Sequence, residues 1–258
     1  MEITPASYSE PQPPSPPQPE PKAAISSFGR ILGMFFSPRA TYEDIVRKPS
    51  WLLPVTIMMV LGLVTAVALN QRMNWRQFVT QQIEKNPRSA QLSPEQKEQQ
   101  IEGGAKFAPY SVYAFGIPAP IIVILIVAGV MLGAYNLFGG ANVNFKTSLA
   151  IVSHAFVPNF LATFLFLVVL FVKPPGEMDL DNPVATNLAA FLPDGIPKWL
   201  EALCKNVDVF SFWVLILISI GFAVANPKKL KGAKSFTIAA SMLALYVVLR
   251  VGIAFIFS

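Results

Sequence analysis

The chain has 258 residues, of which 53% are apolar and 14% charged, with a formal net charge of +5. A soluble domain averages about 25% charged residues, whereas five apolar stretches of this chain hold a single formal charge, Arg250. That distribution excludes an ordinary soluble globule and points to a bilayer as solvent; one cysteine, Cys204, excludes an intrachain disulfide, and one histidine, His154, excludes a histidine-rich metal site.

The first 22 residues contain eight prolines, and they lack both an apolar core and early basic residues. No signal peptide is expected. Residues 1–23 read as a disordered Pro-rich cytoplasmic tail, either simply solvated or, through the P-x-x-P spacing in PQPPSPPQPEP, docked on an aromatic groove. The membrane domain then runs from 24 to 258.

Between Ala24 and Phe36, the residues Ile25, Phe28, Ile31, Leu32, Phe35 and Phe36 share one side at helical spacing, with Ser26, Ser27 and Arg30 largely elsewhere. Too short to span, this segment predicts a helix lying in the interface. Ser37 and Pro38 start a second helix as N-cap and first helical residue, and it ends before Pro49. Glu43 and Asp44 lie near Arg39, Arg47 and Lys48. The segment reads as a surface helix with local charge pairs or as a cytoplasmic docking face. Trp51 is a candidate interface anchor at headgroup level.

A hydrocarbon core of about 30 Å needs about 20 helical residues. Five spans are expected, at about 51–69, 112–137, 149–172, 209–225 and 236–257. None alternates with a period of two, so barrel strands are excluded. In the first connection, Trp75, Phe78, Val79 and Ile83 form an apolar stripe. Ser93-Pro94-Glu95-Gln96 reads as a capping box opening a polar helix that stops at Gly103-Gly104. In the third connection, helices are expected from Asn182-Pro183 through Leu192 and from Pro197 to about Lys205. These are short helical caps in external loops. The predicted fold class is therefore an all-α integral membrane protein with five transmembrane helices and an N-terminal interfacial helix.

Lys228, Lys229, Lys231 and Lys234 crowd the connection NPKKLKGAKS, which marks it as cytoplasmic. With five spans the N-terminus is cytoplasmic and the C-terminus outside. The first connection opposes this reading, since it carries Arg72, Arg76, Lys85, Arg88, Lys97 and Lys106 yet must lie outside.

Polar groups in hydrocarbon are costly and become candidate intramembrane sites. Arg250 either snorkels outward or pairs with Asp208 at the outer end of the fourth span. His154 lies one turn into the third span, near Ser153, Pro158 and Asn159. It is read as a packing residue or as a titrating group, and Asn159 is carried with it as a candidate. Pro118 and Pro120 should kink the second span. Gly129 and Gly133 there, and Gly221 on the fourth span, are candidate helix-packing positions, within the chain or between copies.

The motifs H-E-x-x-H, G-x-S-x-G, G-x-x-x-x-G-K-[ST] and G-x-G-x-x-G are missing. No catalytic, cofactor-binding or metal site is expected, and no cofactor. No nucleic acid is expected either, because the basic cluster is accounted for by topology and anionic lipid headgroups.

Three segments carry a resemblance: FFSPRATYEDIVRKPSWLLPV, FGGANVNFKTSLAIVSHAFVP and NVDVFSFWVLILISIGFAVANPKKLKGAKS. Together they resemble bacterial membrane proteins with the Yip domain, and the likeness covers about Phe28–Phe257. The resemblance implies a five-helix membrane fold with a cytoplasmic N-terminus, in a bacterial cytoplasmic membrane. Eukaryotic Yip proteins sit in Golgi and endoplasmic-reticulum membranes, bind Rab-type GTPases and help organise transport vesicles. Their Asp-Leu-(Tyr/Trp)-Gly-Pro motif ahead of the first span is absent here, where Lys48–Pro54 stands in that place. The expected function is non-enzymatic: membrane organisation, or scaffolding of partner proteins through the N-terminal segment. A small transporter or channel subunit is the alternative. The expected partners are the lipid bilayer, proteins, and further copies in a homo- or hetero-oligomer.

Overall fold

A computed structural model of the chain describes residues 24–174, 178, 180, 182–193 and 195–256. The Pro-rich tail lies outside the described residues. Among those residues the regular structure is all helical, apart from one isolated bridge between Asn187 and Asp208.

Helix α1 spans Ser27–Phe36 and is capped by Ser26, whose Oγ accepts the Gly29 N–H at 3.0 Å. Helix α2 spans Pro38–Arg47. Ser37 stands at its N-cap position, but its side chain makes no capping bond. Helix α3 (Leu52–Arg72) follows, then α4 (Trp75–Glu84) and α5 (Pro94–Gly116). Helix α6 (Ala119–Ala134) continues into a π-helical turn, Tyr135–Gly139. Helices α7 (Phe145–Ala155) and α8 (Pro158–Val172) share one line of the chain, broken at Phe156 and Val157. Helices α9 (Lys198–Asn206), α10 (Val209–Ala225) and α11 (Gly232–Ile256) complete the order.

Four helical segments are long and apolar enough to cross a membrane: Leu52–Arg72, Ala119–Gly139, Phe145–Val172 and Gly232–Ile256. Helix α10 is equally apolar but only 17 residues long.

Helix α10 is the centre of the bundle, packed by α2, α7 and α11. Helix α6 lies against α7, and α3 against α5 and α8. The turn between α6 and α7 requires a left-handed residue, supplied by Gly140 at φ 64°. Asn136 clamps that turn from both sides of Val143, and Asn226 donates to Ala141 O at 3.1 Å. The turn therefore sits at the same end of the bundle as the lysine-rich connection after α10. At the opposite end, Arg72 donates to Lys173 O at 3.0 Å, tying the end of α3 to the end of α8.

Several expectations need correction. Gly103-Gly104 does not end a helix, because α5 runs through it to Gly116. A glycine pair weakens a helix, but Gly104 is packed against Val79 of α4, where a Cβ would stand 2.8 Å from Val Cγ1. Tertiary contact outweighs propensity at that point. The expected second span is divided, since Val112–Gly116 belong to α5 and the chain bends at Ile117-Pro118 before α6. No helix runs from Pro183 to Leu192; only a short 3-10 turn, Leu188–Phe191, forms there. The side-chain amides of Asn182 and Asn187 bond each other instead, at 2.7 Å in one direction. The capping box at Ser93 and Gln96 is present.

Candidate functional site

The N-terminal helices do not lie loosely on the surface. Ser37 and Pro38 fold α2 back against α1, and the fit is close enough that a Cβ on Gly33 would overlap the Thr41 hydroxyl. Across this hairpin Arg30 Nε donates to Asp44 Oδ2 at 2.8 Å, with side-chain exposures of 5% and 7%. The same guanidinium donates to Lys48 O at 3.1 Å and Ser50 Oγ at 2.6 Å. One buried cation thus joins α1, α2 and the segment leading into α3. A buried charge is tolerable only when paired and hydrogen-bonded, and these contacts meet that condition.

This corrects the expectation of a surface helix with local charge pairs. Glu43 makes the expected exposed pair with Arg39, at 3.6 Å, and Asp44 lies 4.0 Å from Arg47 as expected, but the Asp44 side chain is buried and its shorter contact is with Arg30. Arg30 was expected away from the buried side and is instead buried with Ile31 and Met34. The signal was present in the spacing. Arg30 shares a helical face with Met34, and Asp44 one with Thr41 and Ile45, so each charge stands among residues that are buried. Two opposite charges on inward faces of adjacent helices are a pair in waiting.

Tyr42 carries α2 into the bundle. It is fully buried, and its hydroxyl donates to Ile151 O at 3.2 Å on α7. Burial pushes its phenol well above the usual value near 10, so it stays a donor. Gly221 of α10 makes room for the ring: a Cβ there would overlap Ile151 Cγ2 and stand 3.0 Å from Tyr42 Cε1. Outside this seam the pair presents two surfaces. Phe28, Leu32 and Phe36 of α1 are exposed, and Arg39, Glu43 and Arg47 of α2 are exposed and charged.

The other candidate residues are dispersed. His154 is buried on α7, its Nδ1 2.8 Å from Ala150 O. Asn159 lies one turn further along the chain, at the start of α8, and lines a cavity. Asp208 N-caps α10, accepting from Ser211 N at 2.9 Å and from Thr186 Oγ1 at 2.7 Å. Arg250 is exposed and lies over the Tyr246 ring, 5.9 Å from its centroid, with Nη1 3.4 Å from the phenol oxygen. Among the described residues no ion pair joins Arg250 to Asp208. Gly129 and Gly133 face open space, with nothing within 4 Å of a Cβ built at either. Trp51 is partly exposed at the N-cap position of α3.

A polar seam missed by sequence reasoning lies at the α6–α10–α11 junction. Tyr135 donates to Ser235 O at 2.7 Å and stacks on Phe222 at 3.9 Å between centroids. Ser235 donates to Ser219 O at 2.7 Å. These groups satisfy each other inside apolar helices and hold the bundle, and they offer no nucleophile–base geometry. Among the described residues, no group of three metal-ligating side chains could hold a metal ion.

The Yip1 domain matches residues 32–251, most of the chain and nearly all of the described bundle. No curated protein and no solved structure matches it. The match begins inside α1, two residues after Arg30, and closes within α11, so α2, the glycine turn and the lysine-rich connection all fall within one domain. On that match, and on its long apolar helices, the chain is an integral membrane protein that belongs to the Yip1-domain family.

Proposed function

We propose that this chain is a non-enzymatic membrane organiser or scaffold, presenting α1 and α2 as a fixed docking face at the cytoplasmic surface. The observation that carries the reading is the Arg30–Asp44 pair. It spends a buried charge on holding two short helices rigidly, and a rigid platform is what repeated recognition of a partner needs. Phe28, Leu32 and Phe36 then enter the headgroup boundary, with Trp51 beside them at the start of α3, while Arg39 and Glu43 face the cytoplasm.

In this reading α10 is a fifth crossing. Its 17 apolar residues lie at the short end of the spanning range. The α6–α7 turn and the lysine connection share one end with α2, which supports a cytoplasmic N-terminus and an outer C-terminus. Two basic residues that opposed this topology have local partners. Arg72 caps the carbonyl end of α8, and Arg76 pairs with Glu98 at 2.7 Å. A bacterial cytoplasmic membrane is the proposed location, and the open faces of Gly129 and Gly133 are the proposed contact with a further copy or another membrane protein.

The test is co-purification in mild detergent together with proximity labelling from the N-terminus. The wild type is expected to capture a reproducible set of partners. The double variant Arg39→Glu/Glu43→Lys, which keeps the exposed pair but reverses its pattern, is expected to lose them at unchanged expression. A chain that captures nothing, yet moves a solute when reconstituted, would overturn the reading.

A further inference from the structure

Helices α3, α5, α6 and α8 do not close on one another. Between them lies a cavity of about 890 Å³, within the size range of small-molecule sites. Its existence follows from two breaks in the helices that border it, at Ile117-Pro118 and at Phe156-Val157. Gly62 of α3 is fitted to the first break: a Cβ there would stand 2.9 Å from Gly116 O. The walls are mainly aliphatic and aromatic, Leu69, Phe115 and Phe166 among them, and no charged side chain lines the cavity.

Two polar groups on the wall lack partners. Thr65 Oγ1 is buried and makes no hydrogen bond. The helical threonines Thr41, Thr80, Thr163 and Thr237 each donate to the carbonyl four residues back, whereas Thr65 Oγ1 is the one buried side-chain polar atom among the described residues without a partner. The side-chain amide of Asn159, on the facing helix, also makes no hydrogen bond among the described residues. Unmade hydrogen bonds at the wall of an apolar cavity are destabilising until a ligand supplies them.

Position defines the ligand further. Thr65 lies seven residues before the end of α3, so its hydroxyl sits about 10 Å along the helix from that end, at acyl-chain depth if α3 spans the bilayer. A phosphate or ammonium at that depth would be desolvated without a countercharge. An uncharged hydroxyl or ester carbonyl meets no such penalty and matches a threonine hydroxyl and a carboxamide.

We propose that this cavity is a binding site for a neutral, long-chain lipid of the diacylglycerol type. Its hydrocarbon fills the space between α3, α5 and α8, and its hydroxyl or ester group bonds Thr65 and Asn159. The site is independent of the docking face, lying on a different group of helices.

Photolabelling of the full chain tests it. The protein is reconstituted in phosphatidylethanolamine–phosphatidylglycerol vesicles doped with diacylglycerol bearing a diazirine on one acyl chain. Labelled peptides are expected to map to α3, α5 and α8, and excess unlabelled diacylglycerol is expected to suppress them. The near-isosteric variants Thr65→Val and Asn159→Leu should each lower labelling about threefold to tenfold, the range expected for one lost hydrogen bond, while eluting as the wild type does. Three results would each overturn the proposal. One is labelling spread over the lipid-facing surface of α11; another is labelling indifferent to both variants. The third is equal labelling of the same peptides by diazirine phosphatidylglycerol, which would mark the cavity as filled by bulk bilayer lipid.

Discussion

The two sides of the bundle are built on opposite terms. Around α2, α7 and α10, buried polar atoms are paired and space is exhausted. Arg30 meets Asp44, Tyr42 meets Ile151 O, and Gly221 leaves no room for a methyl group. Around α3, α5, α6 and α8, helices are broken, a cavity remains, and Thr65 keeps an unmet hydroxyl. A membrane interior gives helices little hydrophobic reason to associate, so close packing and internal hydrogen bonds must do that work. The first side shows such contacts completed. The second shows them withheld where something else can enter.

The sharpest way to break this comparison is to remove one buried partner. Asp44→Ala leaves Arg30 buried without its counterion, and a loss of about 3–5 kcal/mol is expected in detergent unfolding. Ala in place of Glu43 one residue earlier breaks only an exposed pair and should cost at most about 1 kcal/mol. Equal losses would mean that the locked hairpin is an ordinary surface feature.

Next in size, Gly221→Ala should destabilise by about 1–3 kcal/mol, since the new methyl must displace Ile151 and the Tyr42 ring. The same change at Gly129, which faces open space, should be neutral or stabilise by up to about 1 kcal/mol through helix propensity. Thermal unfolding of the two variants side by side decides it. A large loss at Gly129 would instead point to a helix from a second copy resting there.

The smallest effect concerns Tyr42→Phe, which removes the bond to Ile151 O and should cost about 1 kcal/mol at neutral pH. The pH dependence has a defined sign. The folded-state pKa of Tyr42 is raised, so its contribution is complete below the unfolded value near 10 and is lost as pH rises above it. A pH series on the wild type should show falling stability above about pH 10. The Phe variant should fall less steeply there, and parallel curves would mean that the phenol is not desolvated.

What the sequence disclosed was whatever local chemistry decides. Val209–Ala225 is a helix over the residues its apolar run marked, Ser93 and Gln96 form their box, and the chain bends at Ile117-Pro118, within the span whose prolines were expected to kink it. Apolar length, capping residues and prolines act within a turn or two, so their signal is contiguous. Arg30 and Asp44 are fourteen residues apart and read as independent surface charges until the hairpin brings them together. Gly103-Gly104 read as a helix stop and Gly129…Gly133 as a packing pair, yet both lie inside helices. Only Val79 beside Gly104, and nothing beside Gly129, tells a packed glycine from an open one. The cavity was illegible for the same reason, since Thr65 and Asn159 come from helices far apart in the chain.

The route by which α2 is seated sets a chronology for biosynthesis. Its ring acceptor, Ile151, and its fitted hollow, Gly221, leave the ribosome more than 100 and more than 170 residues after Tyr42. The first helices to be made are therefore among the last to settle, and must wait until α10 has been made. Their docking closes the assembly, much as a keystone does, and a chain arrested before α10 would leave them undocked for quality-control proteases to find.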